Sequence, residues 1–231
     1  MPKRWDVLGV GCNSVDYVYR LPAAPKADSP TAKLRISSHQ AMCGGQMATA
    51  MAACAGLGLR AAYLGSTGND HNGRLIASEL QQRGVDVSGV MTRECANRFA
   101  VIAVDETTGE RIVLWDRDER LNLRARDFDA ALIASARILH VDDEDQEAAI
   151  AAATVARSAG VPCASDIDRI TDRTKDLIAA VTIPIAPVIS MATRPTIQST
   201  SRPSSGPPHT GSRPVQFGIA VNRKPATTAG T

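Results

Sequence analysis

The sequence predicts an α/β fold, a parallel β-sheet with helices on both faces and a small second sheet beside it. Three observations predict this. Apolar runs of strand length alternate with helix-length segments through residues 1–184, as in parallel strands joined by crossover helices. Two stretches, about 15–41 and 98–115, are strand-like but too polar for the centre of such a sheet. The chain of 231 residues, 44% hydrophobic and 22% charged, suits a soluble protein of one large or two small domains.

The elements follow in order. Asp6 to Val10 is a short apolar run ending in Gly9-Val10-Gly11, a buried first strand. Val15 to Arg20 alternates like a half-exposed strand, and Pro22 and Pro25 break the chain after it. A third, more polar strand is expected within Lys33 to Ala41. Gly44-Gly45 opens a buried Ala- and Met-rich helix from Gln46 to Leu57. Ala61 to Gly65 reads as a strand. The next helix is capped by Asn69 or Asp70, carries the apolar stripe Leu75, Ile76 and Leu80, and stops at Gly84. Phe99 to Val104 and Arg111 to Trp115 flank Glu106-Thr107-Thr108-Gly109 as a hairpin. Asp127 is expected to start a short helix. Strands at Arg137 to Val141, Val161 to Ser165 and Val181 to Ile185 alternate with helices at Asp145 to Ala159 and Thr171 to Ala180.

Composition narrows the partners. No apolar run approaches 18 residues, and the N-terminus lacks the apolar core of a signal peptide, so no membrane partner is expected. Cys12, Cys43, Cys54, Cys95 and Cys163 are odd in number and form no C-x-x-C pair, which fits packing roles in a reducing cytoplasm. The chain is therefore expected to be cytoplasmic. A net charge of +2 gives no reason for a nucleic-acid partner.

The average charge hides a break. All 24 acidic residues lie at or before Asp176, against 21 basic ones there, while the last 55 residues hold five basic residues and no acid. Residues 185–231 also hold seven of the 13 prolines and 13 Ser or Thr. Such a stretch cannot bury enough apolar surface to offset its ordering entropy, so it is expected to be a disordered tail. Two readings of this stretch stand: a reading frame shifted in a GC-rich gene near codon 185, favoured because disorder alone does not require losing acids, or a natural disordered tail on a truncated paralogue.

Ligands of open parallel sheets bind at the carboxyl ends of the strands. Those ends here fall at Gly9–Asp16, Gly65–Asp70, His140–Asp145 and Asp166–Asp168. Gly9-Val10-Gly11 leads into a strand and prolines, not the helix a dinucleotide motif requires. Two readings stand for Asp16: a paired acceptor for vicinal hydroxyls, or the cap of a turn. Gly44-Gly45 lets a ligand approach the backbone, or simply starts a helix. Asp142-Asp143-Glu144-Asp145 is expected to be a solvated helix N-terminus, and no metal-ligand spacing is present.

Five pieces taken in order resemble the PfkB/ribokinase family of sugar kinases. They are Gly9-Val10-Gly11-Cys12-Asn13-Ser14-Val15-Asp16, Gly44-Gly45-Gln46-Met47-Ala48-Thr49-Ala50, Leu64 to Gly73, Leu139-His140-Val141-Asp142, and Val161 to Asp166. The resemblance covers about residues 5 to 184. It implies a ribokinase-like fold whose polar strands form a β lid over a sugar or nucleoside. It places Asp16 on the substrate hydroxyls, Gly44 and Gly45 against it through backbone groups, and Gln46 and Thr49 at the helix start. Family members often have asparagine where Thr49 stands. Ser14 falls where a polar sugar contact is common, and Asp142 or Asp143 faces the sugar. The resemblance also implies ATP and Mg²⁺ as cofactors and homodimers formed through the lid.

The family's catalytic Gly-Ala-Gly-Asp segment, whose aspartate takes the proton from the attacking hydroxyl, occurs nowhere in this sequence. The expectation is an incomplete domain at 1–184 and a catalytically inactive chain that does not bind ATP and Mg²⁺ productively. The alternative is a sugar-binding or lid-mediated interaction module.

Overall fold

The computed structural model describes residues 3–186. A five-stranded parallel sheet forms the centre. Its strands are β1 (Trp5–Val10), β4 (Ala61–Leu64), β9 (Ala136–Asp142), β10 (Cys163–Asp166) and β11 (Ile183–Ile185), in the order β11-β10-β9-β1-β4. Successive residues of β1 and β4 point to opposite faces, and both faces are apolar, which is why these strands read as continuous apolar runs. Val7, Ala61 and Tyr63 pack under α1 (Gln46–Gly56) and α2 (His71–Gln82), against Met47, Met51, Ile76 and Leu80. Leu8, Val10, Leu64, Leu139 and Val141 face α3 (Ala130–Ala134), α4 (Gln146–Ser158) and α5 (Thr174–Ala180). The packed face of α4 is all alanine, from Ala148 to Ala156, which brings it close to the sheet. No described helix is long and apolar enough to cross a membrane.

The second sheet holds β2 (Ser14–Leu21), β3 (Ser38–Gly44), β7 (Phe99–Asp105) and β8 (Arg111–Asp116), in the order β3-β2-β7-β8. β2 and β7 run parallel, and β3 and β8 are antiparallel edges. These are the polar stretches expected beside the main sheet.

The structure corrects several expectations. The third strand lies at Ser38–Gly44, several residues later than expected, because its register with β2 runs from Ser14↔Gly44 to Arg20↔Ser38. Pro30 starts a 3-10 turn capped by Ser29 instead. Asp129, not Asp127, caps α3, accepting from the Ala131 amide. Asp127 accepts from the Arg124 amide in the preceding turn and pairs with Arg93 at 2.9 Å. A two-stranded parallel pair, β5 (Ser66–Gly68) and β6 (Met91–Arg93), is too short to leave a periodic signal. The expected disordered tail at 185–231 lies outside the described residues from 187 onward.

Candidate functional site

The site is built where β1 hands the chain to the second sheet. The turn Gly11-Cys12-Asn13 is fixed from below by a buried polar network. The Tyr63 hydroxyl donates to the Gly11 carbonyl at 2.8 Å and accepts from Asn13 Nδ2 at 3.0 Å. Asn13 Nδ2 also donates to the Ser66 carbonyl at 2.7 Å, and Asn13 Oδ1 accepts from Asn97 Nδ2 at 3.0 Å. Asn97 Oδ1 in turn accepts from the Gly68 amide at 2.9 Å. A fully satisfied buried network of this kind holds one geometry.

Asp16 stands on the next strand. Ser14 Oγ donates to its Oδ1 at 2.8 Å, which orients the carboxylate. Gly44 is its cross-strand diagonal neighbour, and any Cβ there would collide with Asp16 Oδ2. Gly45 follows at φ 90°, and a Cβ there would run into the Asn13 backbone, so the position is closed to other residues on both counts. The chain then enters α1, where the Ala48 amide donates to the Cys12 carbonyl at 3.2 Å. Gln46 Nε2 donates to Asp166 Oδ2 at 3.4 Å, linking the helix start to the end of β10.

The acidic run after β9 is not solvated, contrary to expectation. Asp142 and Asp143 are each only 1% exposed. Asp142 accepts from the Cys12 amide at 2.7 Å and the Glu144 amide at 3.2 Å. Burial nevertheless pushes its carboxyl up to about 6. Asp143 accepts from the Asp168 and Arg169 amides at 3.0 and 2.7 Å. Glu144 meets Arg98 at 2.8 Å, Arg117 at 3.3 Å and Arg169 at 3.0 Å. Burial raises the Glu144 carboxyl, but these guanidinium charges more than offset it and leave it below its usual value. Asp145 holds Arg117 by two hydrogen bonds, at 2.6 and 3.0 Å. A narrow cleft lies between this ion cluster and the Gly11–Asn13 turn, with Arg98 and Arg117 on its wall.

Comparison with known proteins places the arrangement. Residues 13–186 match the pfkB family carbohydrate kinase model. The chain belongs to the pfkB family of carbohydrate kinases. It is similar to an ATP-dependent ribose-1-phosphate kinase of Halopiger xanaduensis, with 31% identity over 71% of this chain and 54% of that protein. It is also similar to a 5-dehydro-2-deoxygluconokinase of Shouchella clausii, with 25% identity over 72% of this chain and 52% of that protein. A solved Agrobacterium tumefaciens structure assigned as a ribokinase superposes with a TM-score of 0.72 at 28% identity, covering 80% of this chain and 60% of that one. An Arabidopsis thaliana ribokinase complexed with ribose and ATP superposes at 0.65 with 20% identity, again over 80% and 60%. The fold is thus ribokinase-like. The chain spans about half the length of the curated relatives it matches.

Within this pfkB fold the expected site residues separate into two groups. Ser14, Asp16, Gly44, Gly45 and Gln46 converge at the junction of β2, β3 and α1. Thr49 lies exposed one turn into α1. Asp142 lies beneath the Gly11–Cys12 turn with both oxygens engaged by backbone amides. Asn97, Arg98 and Arg117 were not foreseen, and Asn13 and Glu144 stood only inside longer motifs without these roles. Their ion-paired or hydrogen-bonded side-chain partners lie 25 to 84 residues apart, and no local spacing signals such pairs. PfkB kinases use ATP, but the described residues offer no triphosphate cradle. Gly9 and Gly11 run into a strand, and their open sides are filled by Met47, Met51 and Asp142. Among the described residues no group of three or more His, Cys, Asp or Glu is placed to hold a metal.

Proposed function

We propose that the junction of β2, β3 and α1 binds the hydroxyls of a sugar or nucleoside, with Asp16 as the paired acceptor and the second sheet as the lid. The Asp16 carboxylate carries this reading. It is oriented by Ser14, given room by Gly44, and left with an oxygen that no described donor takes. The backbone at Gly44 and Gly45 and the Gln46 and Thr49 side chains complete the contacts expected from the family, while Asp142, held by the Cys12 and Glu144 amides, braces the turn beneath them instead of reaching the sugar. The names of the relatives, which act on ribose 1-phosphate, a dehydrodeoxygluconate or fructose, support a sugar.

The family reaction transfers a phosphoryl group from ATP, with Mg²⁺, to a substrate hydroxyl. That chemistry relies on positioned donors and a base beside the acceptor. The sequence contains no Gly-Ala-Gly-Asp and no acid after Asp176, so this chain is read as a binder without turnover. A coupled assay of ATP consumption over a panel of sugars tests the reading, and no turnover is expected. Turnover lost on Asp16→Ala would refute only the inactivity. Turnover that survives Asp16→Ala would contradict the site itself.

The second reading is a lid-mediated interaction module, favoured by the outer strand β8, whose residues Arg111 to Asp116 are all exposed. An apolar edge strand of this kind pairs readily with a second copy.

A further inference from the structure

The second sheet joins the main body along two pairs of strands, and one pair is gathered on a single carboxylate. β2 and β3 join it through the Gly11–Asn13 turn and Gly45. β7 and β8 join it side by side, with Phe99↔Asp116 as their last pair, so Arg98 and Arg117 stand where the two strands cross into the body. Both reach Glu144, at the entry to α4. Arg98 Nη1 lies 2.8 Å from Glu144 Oε2, and Arg117 Nη1 lies 3.3 Å from Oε1. Each oxygen of one carboxylate therefore takes one leg of the β7–β8 hairpin. Arg169, from the loop after β10, shares Oε2 at 3.0 Å. The Glu144 side chain is only 8% exposed, so the pairs are little screened, and loss of one partner leaves the other charge stranded.

The two legs are held unequally. Arg117 also donates to both oxygens of Asp145 and to the Leu121 carbonyl. Arg98 has no such support. Its approach to Glu144 lies off the N–H axis, and its Nε and Nη1 find no hydrogen-bond acceptor among the described residues. The ring of Trp115, on β8, lies under its guanidinium at 5.3 Å. Arg98 is held by charge and stacking, Arg117 by aligned hydrogen bonds. One residue earlier the chain is fixed, since Asn97 is bonded to Asn13, Gly68 and Asp70. A swing of β7 therefore begins at Arg98. β7 pairs with β2 through Ala100↔Asp16, so a displacement at Arg98 is carried to Asp16.

We propose that Glu144 is a positioning residue: it clamps both legs of the β7–β8 hairpin and so sets where the second sheet stands over the Asp16 junction, with Arg117 as the fixed leg and Arg98 as the leg that releases. The inference goes beyond the sugar-site reading and does not depend on it.

Brief chymotrypsin digestion of the native full chain, read by mass spectrometry, tests it. Phe99 is the first residue beyond the hinge, and a protease cuts there only when the β7 leg opens. Glu144→Gln should raise cleavage after Phe99 by about tenfold or more relative to cleavage after Leu57 and Phe128, which lie outside the hinge. Arg98→Gln should raise it as well, and the double variant no further than Glu144→Gln alone, because both changes remove the same contact. Arg98→Gln also reads the clamp if the Glu144 variant does not fold. Unchanged cleavage after Phe99 in either single variant overturns the inference. So does a rise that multiplies in the double variant, or one of equal size at Leu57 and Phe128, which would mark a general loss of stability.

Discussion

Asp142 is a carboxylate held where charge is costly. Its carboxyl is raised from 3.8 to about 6 by burial, and the amides of Cys12 and Glu144 reduce that penalty without removing it. Below about pH 4 the group is protonated in both folded and unfolded chains and costs nothing. Between about pH 4 and 6 only the folded chain holds the proton, so stability falls as pH rises and the full penalty stands above about 6. The shift corresponds to ~3 kcal/mol. Asp142→Asn should remove that slope. Urea melts from pH 4 to 7 should show wild-type stability falling relative to the variant across this window, and a constant difference between them would refute the account. Asp142 also shows what single residues disclose in a sequence. Its position after a strand marks it as a candidate ligand, but the same pattern serves a carboxylate that braces the Gly11–Cys12 turn. Only the contact across 130 residues separates the two. Asp16 is more legible, because Ser14 and Asp16 alternate with buried Val15 on one strand.

At the scale of elements, the junction between β3 and α1 is the least tolerant point. Gly45 has a φ of 90°, and a side chain there would run into the Asn13 backbone. Gly45→Ala should cost about 3 kcal/mol, combining backbone strain with overpacking, and should lower the urea midpoint without changing its slope. Gly56→Ala is the control, since nothing lies within 4 Å of its missing Cβ, and it should be neutral or slightly stabilising. The long helices α1, α2 and α4 are legible because their apolar content and terminal glycines agree, and α2 adds the cap at Asp70. β3 is less so. Its burial runs exposed from Ser38 to Met42, so no apolar alternation marks its limits, and only pairing with β2 sets them. β5 and β6, at three residues each, carry no periodic signal at all.

At the scale of the molecule, the central sheet and both helical layers follow from the strand–helix alternation. The placement of the second sheet over the ends of β1 and β9 does not, because long-range ion pairs such as Arg98–Glu144 and Arg117–Asp145 fix it. The outer strand of that sheet exposes Leu114 at 63% and Trp115 at 55%. If the lid pairs two copies, sedimentation should show a dimer of the full chain and Leu114→Lys should shift it to monomer. A wild-type monomer at high concentration would remove the lid-pairing reading.

The central claim is that Asp16 anchors a sugar at this junction. Its most direct test is calorimetric titration of the full chain with a panel of sugars that includes ribose and fructose, without ATP, alongside Asp16→Asn. Loss of one charged acceptor of paired hydroxyls should weaken binding by about tenfold or more, with thermal melting little changed. Saturable binding in the wild type that survives Asp16→Asn unchanged would contradict the claim.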